Sequence, residues 1–504
     1  MDGRPDLLIF VADQWRGDVL GHVGNPAALT PNLDRLVGHD AVSFTQTHCQ
    51  STICTPSRAS LMSGRYPHVH GRRTIDFMLR PERGHPLLLA TLKQHGYHVW
   101  CGGKIDMIPA DSDFALVCDE WFRPARDSER VLGRPLRPQA PPSPTWRGTG
   151  PDDDRFYGFL AGLLDEDADG IYFDRDWAVI EAACAKIRTC DDSRPLCLYI
   201  ALEFPHPPFR VERSWFEQID AGRLPAQKPV PDWSQKPPIL QQIFARQNLQ
   251  GWSPARWQDL RRVYYGMCAR VDHQLGLVLS VLEAAGRLDQ TSLAFFADHG
   301  EYLGDYGLVE KNQNSFEPEL TRVPLVIKPA RRFRCQPGLR DALVELLDVQ
   351  ATVLEMAGIE PAYDHFGRSL LPLVAGVTTG HRDAVFTEGG RRPGELHASE
   401  ANVLASMPEP RQSDYWPRLS AQALEGRDFC HGKAVAARTR DWRYVYRRYG
   451  PRHELYDLHA DPAESRNLAG DPRYEDVERA LKEQVLAWYV ETCDVVAHEH
   501  DRRF

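Results

Sequence analysis

Nothing in this sequence approaches the run of about 18 apolar residues that a membrane-spanning helix requires, which argues against a transmembrane protein. Basic character is also short: 60 Lys and Arg stand against 70 Asp and Glu, a net charge of −10. Clusters such as Arg331-Arg332-Phe333-Arg334 are brief, and a chain without a sustained basic face has little hold on a phosphate backbone. No nucleic-acid partner is therefore expected. The eleven cysteines are odd in number and scattered, without the paired spacing of a zinc site or a disulfide framework. A signal peptide is not evident either, since Met1-Asp2-Gly3-Arg4-Pro5-Asp6 runs straight into the short apolar stretch Leu7–Ala12. These absences set the expectation of a cytoplasmic protein with no membrane association. No internal repeat is present.

A chain of 504 residues can bury a large core, and it suggests one large domain with a smaller one, or two to three domains. Its apolar runs are continuous rather than alternating, which suits strands buried on both faces of a mostly parallel sheet. The candidates are 7–12, 97–101, 196–202, 292–297 and 323–327. Helical patterns lie between them. One covers 87–95 and stops at Gly96; another covers 257–285, with Val263, Met267, Val271, Leu275, Val278 and Leu282 at three-and-four spacing. Such alternation predicts an α/β fold with helices on both faces of the sheet. Asp13 and Asp298 each follow a predicted strand, where ligands of such sheets gather. Stretches 120–155 and 205–255, rich in Pro, Arg and Trp, read as long functional excursions. Beyond about residue 375 short aromatic and β-branched runs (442–446, 454–458) predict a small antiparallel sheet, followed by a helix over 474–491. The expected division is thus a catalytic domain 1–375 and a smaller α+β subdomain 376–504.

The most informative stretch is Cys54-Thr55-Pro56-Ser57-Arg58-Ala59-Ser60-Leu61-Met62-Ser63-Gly64-Arg65. Pro56 suits a first helical residue, with Thr55 as N-cap and Gly64 as the stop. Cys54 would then lie just ahead of a helix N-terminus, where free N–H groups favour anions, with Arg58 one turn on. On its own Cys54 could equally be a small buried hydrophobe. The stretch resembles the signature of the type I sulfatases, Cys-x-Pro-Ser-Arg followed by Leu-x-x-Gly-Arg. The resemblance implies that Cys54 is oxidised to formylglycine by a formylglycine-generating enzyme, and that the hydrated aldehyde is the nucleophile. It also implies an alkaline-phosphatase-like α/β/α sandwich.

Asp13-Gln14 and Asp298-His299 offer two carboxylates, an amide oxygen and an imidazole, a donor set fit for a divalent cation beside Cys54. In the resembled family two residues from each of these strand ends bind one metal. The Asp-Gln and Asp-His pairs are also similar to those of choline sulfatases and phosphonate monoester hydrolases. With two formal negative charges, calcium is the first expectation, and manganese or magnesium are alternatives. Pro205-His206-Pro207-Pro208 resembles the Pro-His-x-Pro segment, which implies that His206 protonates the departing oxygen, a role its near-neutral pKa suits. Lys311 matches the lysine that contacts the transferred oxyanion, and Lys104 matches the lysine of Gly-Lys-x-His.

Two departures stand out. Asp106 occupies the place of that last histidine, thought to act as a base toward the formylglycine ester. Asp106 could do so only if burial or a like charge raised its pKa; otherwise it serves structure or substrate binding. An asparagine some relatives carry near position 74 is also missing, and Arg72 or Arg73 could reach a charged part of the substrate instead. The expected substrate is a small-molecule sulfate ester. The alternatives are a phosphonate monoester or phosphodiester hydrolase on the same fold, and a non-catalytic binding protein that kept it. Oligomeric state is open, a homo-oligomer included.

Overall fold

A computed structural model describes residues 3–71, 73–75, 78–138, 144–190, 193–392, 409–422, 431–450 and 452–495. The strands, in chain order, are β1 (Asp6–Ala12), β2 (Val42–His48), β3 (His98–Gly103), β4 (Glu120–Phe122), β5 (Leu160–Leu164), β6 (Leu196–Ala201) and β7 (Phe209–Glu212). They continue with β8 (Thr291–Ala297), β9 (Leu325–Lys328), β10 (Gly338–Glu345), β11 (Val385–Gly389), β12 (Ala434–Arg438), β13 (Trp442–Arg447) and β14 (Glu454–Asp457). Eight form one sheet in the order β10-β2-β9-β8-β1-β6-β3-β4, in which β9 alone runs against its neighbours. Strands β6 and β8 are buried along their whole length, as the continuous apolar runs require when helices cover both faces. One group of packed helices comprises Pro31–His39, Arg175–Thr189 and Pro254–Ala284; another comprises Cys54–Ser63, Leu88–Gln94 and Leu347–Ala357. Among the described residues no helix is long and apolar enough to cross a membrane.

The expected mixed, mostly parallel sheet and small antiparallel sheet are both present. The small sheet has four strands, β11-β12-β13-β14, two more than the aromatic runs announced, and helix Glu475–Thr492 packs on β12 and β13. Strands β2 and β10 escaped the sequence reading for a physical reason. Val42-Ser43-Phe44-Thr45-Gln46-Thr47-His48 has five polar residues in seven, and β10 opens with Gly, Arg and Asp at partly exposed positions on the sheet edge.

Strand register decides which residues emerge side by side. In the parallel ladder Ala12 lies opposite Ala297, Val11 opposite Ala201, and Gly103 opposite Ala201. Four neighbouring strands, β8, β1, β6 and β3, therefore end at one level, and the residues just beyond them are Asp298, Asp13, the 203–208 turn and Lys104. Gly103 makes the last of these possible. Its φ is +96°, and a Cβ there would stand 1.9 Å from the Ala201 carbonyl oxygen. Gly103→Ala should cost roughly 1–3 kcal/mol from backbone strain alone. Gly38→Ala, in a helix with open space around it, should be neutral or stabilising by up to about 1 kcal/mol. Urea unfolding of both variants checks the contrast.

Candidate active site

The helix carrying the motif spans Cys54–Ser63 and ends at Gly64 in the left-handed region (φ 67°), the predicted stop. Its start differs from the expectation: Ile53 holds the extended N-cap position, Cys54 is the first helical residue, and Thr55 lies inside the helix. Ile53 makes no side-chain cap, and the Thr55 hydroxyl is buried without a hydrogen-bond partner. The physical consequence is that the Cys54 side chain itself stands at the helix N-terminus.

Around Cys54 the strand ends converge. His299 Nδ1 donates to the Gly300 carbonyl at 3.1 Å, which leaves the Nε2 lone pair facing inward, 3.1 Å from Cys54 Sγ. The same Nε2 is 3.7 Å from Asp13 Oδ1 and 3.7 Å from Asp298 Oδ1. Asp13, Cys54, Asp298 and His299, all buried, each present one donor atom, and these four atoms lie within 4.8 Å of one another. The outer oxygens of the carboxylates belong to Arg58, whose Nε donates to Asp298 Oδ2 at 2.7 Å and whose Nη2 donates to Asp13 Oδ2 at 2.9 Å. Arg58 Nη1 also bonds the Lys104 carbonyl. Burial alone would raise the Asp13 carboxyl, but Lys104, His206, Arg58 and His299 together hold it well below the usual range. Arg58 is thus a clamp on the two carboxylates.

Gln14 is set differently from a plain fifth ligand. Its amide oxygen accepts from Lys311 Nζ at 2.5 Å, and its Nε2 donates to Glu301. Its backbone sits at φ 69°, held by Tyr264 Oη donating to the Gln14 carbonyl at 2.6 Å and by the Gln14 amide donating to Asp298 Oδ1 at 3.1 Å. Lys104 Nζ lies 2.5 Å from Asp13 Oδ2, 3.2 Å from Asp106 and 3.9 Å from Cys54 Sγ. Asp106, in the left-handed region at φ 50° and one-third exposed, is thereby paired with Lys104 rather than placed against Cys54. His206 Nδ1 donates to the Pro207 carbonyl at 2.6 Å. Burial, and then Lys104 and Lys311, push its pKa well below the ordinary value, so the imidazole is neutral with Nε2 as acceptor. Arg72 lies outside the described residues, and the carbonyl of Arg73 accepts from Gln313.

Three supports were not visible as motif positions. Glu301, raised by burial to about 7, accepts from Gln14 and from the amides of Leu303 and Glu310 at 2.9 and 2.6 Å. Tyr264 fixes Gln14 from the helix Pro254–Ala284. Asp176 accepts from the amides of Glu203 and Phe204 at 2.8 and 2.9 Å and so sets the turn that carries His206. Glu301, three residues past Asp298 beside the Asp-His pair, was the only one with a positional signal.

A family model described as Sulfatase matches residues 5–359. The chain belongs to the sulfatase family. At that level it is a sulfuric ester hydrolase. This sulfatase is 27% identical over 539 aligned positions to the multifunctional alkaline phosphatase superfamily protein PehA of Trinickia caryophylli, covering 97% of this chain and 96% of that one. It is 26% identical to a choline-sulfatase of Rhizobium meliloti (strain 1021), covering 99% and 90%. Its fold matches the phosphonate monoester hydrolase of Agrobacterium radiobacter with a TM-score of 0.73 at 23% identity, covering 97% and 96%. A 2-O GAG sulfatase matches with a TM-score of 0.69 at 19% identity, covering 99% and 96%.

The donor set of this sulfatase fits a divalent cation: two carboxylate oxygens, an imidazole nitrogen with its lone pair turned inward, and the side chain at position 54. Arg58→Met should cost about 3–5 kcal/mol, because it strands two buried carboxylates. Calcium or manganese should restore part of that loss and should also raise the unfolding temperature of the wild type. Urea and thermal unfolding with and without metal read both effects.

Proposed function

We propose that this sulfatase hydrolyses an organic sulfate monoester at a formylglycine derived from Cys54. One divalent cation, calcium first and manganese or magnesium as alternatives, would be held by Asp13, Asp298, His299 and residue 54, with the Gln14 amide oxygen as a fifth donor shared with Lys311. The observation that carries the reading is the convergence on Cys54 Sγ of His299 Nε2 at 3.1 Å, Asp13 Oδ1 at 3.7 Å and Lys104 Nζ at 3.9 Å. Burial and the Asp13 charge push the Cys54 thiol up to about 12. A thiol kept protonated at neutral pH is a poor nucleophile, which favours an oxidised derivative as the reacting group. The aldehyde and cation would supply an oxygen nucleophile and positive charge for the transferred oxygens.

The chain's own groups do the rest. Lys311 and Lys104 carry ammonium charges into the pocket, and such preorganised charge is usually the largest catalytic contribution. With its Nδ1–H committed to Pro207, His206 would take up a proton at Nε2 for the leaving oxygen only once an anionic ester is bound. The field of the two lysines that keeps His206 neutral is the field an anionic ester offsets on binding. Arg58 holds Asp13 and Asp298 in place without occupying the inner oxygens.

A second reading, hydrolysis of a phosphonate monoester or phosphodiester, is favoured by Gln14 and His299 in the ligand set and by Asp106 in place of a histidine. The similar proteins include a choline-sulfatase and, at the level of fold, a phosphonate monoester hydrolase.

After co-expression with a formylglycine-generating enzyme, the mass of the peptide carrying Cys54 should show the aldehyde or its hydrate. Unmodified cysteine, with the maturation enzyme active on a control, would overturn the formylglycine mechanism. Turnover of matched aryl sulfate, phosphonate monoester and phosphodiester substrates then decides between the two readings, with the sulfate expected to lead. Lys311→Ala should lower kcat by about 10²–10³. His206→Ala should lose roughly 10²–10⁴ on alkyl esters, and much less on aryl esters whose leaving groups need no proton.

A further inference from the structure

The strip 409–422 comes from the C-terminal part of the chain, far in sequence from the strand ends that build the site, and it lies against the Lys311 loop. Its helix Trp416–Gln422 packs on the helix Pro238–Gln247, with Ala421 in a cluster that includes Ile239, Tyr302 and Leu308. Its first half is clipped down elsewhere: Tyr157 Oη donates to the Arg411 carbonyl at 2.5 Å, Arg411 pairs with Asp152 at 2.7 Å, and Arg147 pairs with Asp414. Between these anchors sits Tyr415.

Tyr415 is joined to the catalytic groups by a chain of contacts. The Arg418 guanidinium lies over its ring at 4.6 Å and is 3.8 Å from Glu310. Glu310 is 2.8 Å from Lys311 Nζ, which donates to Gln14. The ring also meets Phe159 at 6.1 Å between centroids, with the two rings tilted by 48°. The charged groups acting on the Tyr415 hydroxyl are Lys311, Glu310, Arg418 and Lys104. Lys104 and Lys311 are also the two cations acting on Cys54. A phenol and the reacting residue thus share the same pair of lysines. The Tyr415 amide is used by Ser413 Oγ at 3.2 Å, and among the described residues no hydrogen bond engages its hydroxyl. Burial keeps the phenol protonated, so it is a donor.

We propose that the Tyr415 hydroxyl donates a hydrogen bond to a non-bridging oxygen of the group being transferred, which makes the strip 409–422 part of the active site. The inference rests on residue 54 being the reacting centre of the proposed hydrolase. Lysines attract an anion from a distance with little directional preference, whereas a phenol whose ring is packed by Phe159 and Arg418 fixes the direction in which one oxygen must point. Tyr415 would thereby select for a tetrahedral oxyanion.

Tyr415→Phe removes the hydroxyl and keeps the ring in its place, so its unfolding temperature should stay within about 2 °C of the wild type. Calorimetric titration with inorganic sulfate should show a dissociation constant raised about ten- to a hundredfold. The kcat/KM for 4-nitrophenyl sulfate should fall by a similar factor. Sulfate affinity within about twofold of the wild type, or no sulfate binding by the wild type, would overturn the contact. Sulfate binding that depends on Tyr415 in a protein with no ester turnover would refute the hydrolase reading and uphold the contact. Turnover with sulfate binding indifferent to Tyr415 would do the reverse.

Discussion

The guanidinium of Arg58 lies between two carboxylates that end adjacent strands, and the geometry of the whole site hangs on that placement. Asp13 and Asp298 direct their inner oxygens toward His299 Nε2, and the donor atoms of the cluster lie within 4.8 Å of one another. Two unit charges at that separation repel by roughly 3–4 kcal/mol at an effective dielectric of about 20. Arg58 offsets this with contacts of 2.7 and 2.9 Å to the outer oxygens, and it leaves the inner ones available. A lysine could not do the same, because one ammonium cannot span two carboxylates with the fixed fork of a guanidinium. The motif therefore encodes more than a cysteine at a helix start: one turn of helix places Arg58 behind the metal-type ligands while Cys54 stands in front of them.

The sheet supplies the second constraint. Four parallel strands ending at one level bring Asp298, Asp13, His206 and Lys104 together from positions spread over nearly 300 residues. This works only where backbones approach more closely than a side chain allows. Gly103 lies against the Ala201 carbonyl, and Gly300 lies against the Glu319 carbonyl, with a Cβ at either place falling 1.9 Å from oxygen. Gln14 then needs a left-handed backbone to turn its amide toward Lys311, and Tyr264 and Glu301 hold it there.

Much of this was legible in the sequence because it is written as contiguous pattern. The continuous apolar runs that became β1, β6 and β8 placed Asp13 and Asp298 at strand ends, and the Cys54-to-Arg65 signature located the centre of the site. What the sequence concealed was of two kinds. Strand β2 is mostly polar although largely buried, and β10 opens at partly exposed edge positions, so a search for apolar runs passed over them. The supports, Tyr264, Asp176 and Glu301, sit one layer behind the groups they position and act by a few hydrogen bonds each, which leave no periodicity and no spacing rule. The start of the motif helix was misplaced by one cap for a related reason. Proline tolerates several first-turn positions, and only the extended Ile53 backbone tells which residue begins the helix.

Asp106 shows how a departure from a family pattern can be absorbed without a like-for-like replacement. Its carboxylate lies 3.2 Å from Lys104 Nζ, and the same ammonium is 2.5 Å from Asp13 and 3.9 Å from Cys54. One cation is thus divided between two carboxylates, and its charge reaches residue 54 reduced by both. A histidine at 106 would leave Lys104 to Asp13 alone and add a third imidazole to the site beside His206 and His299; the aspartate instead gives the lysine a second carboxylate partner. Its influence on residue 54 runs through Lys104, by setting where the ammonium rests and how much of its field reaches that position. The pocket accordingly sets Arg58, Lys104, Lys311 and Arg418 against Asp13, Asp298, Asp106 and Glu310, four charges of each sign held in mutual contact, so that removing any one of them leaves a partner uncompensated.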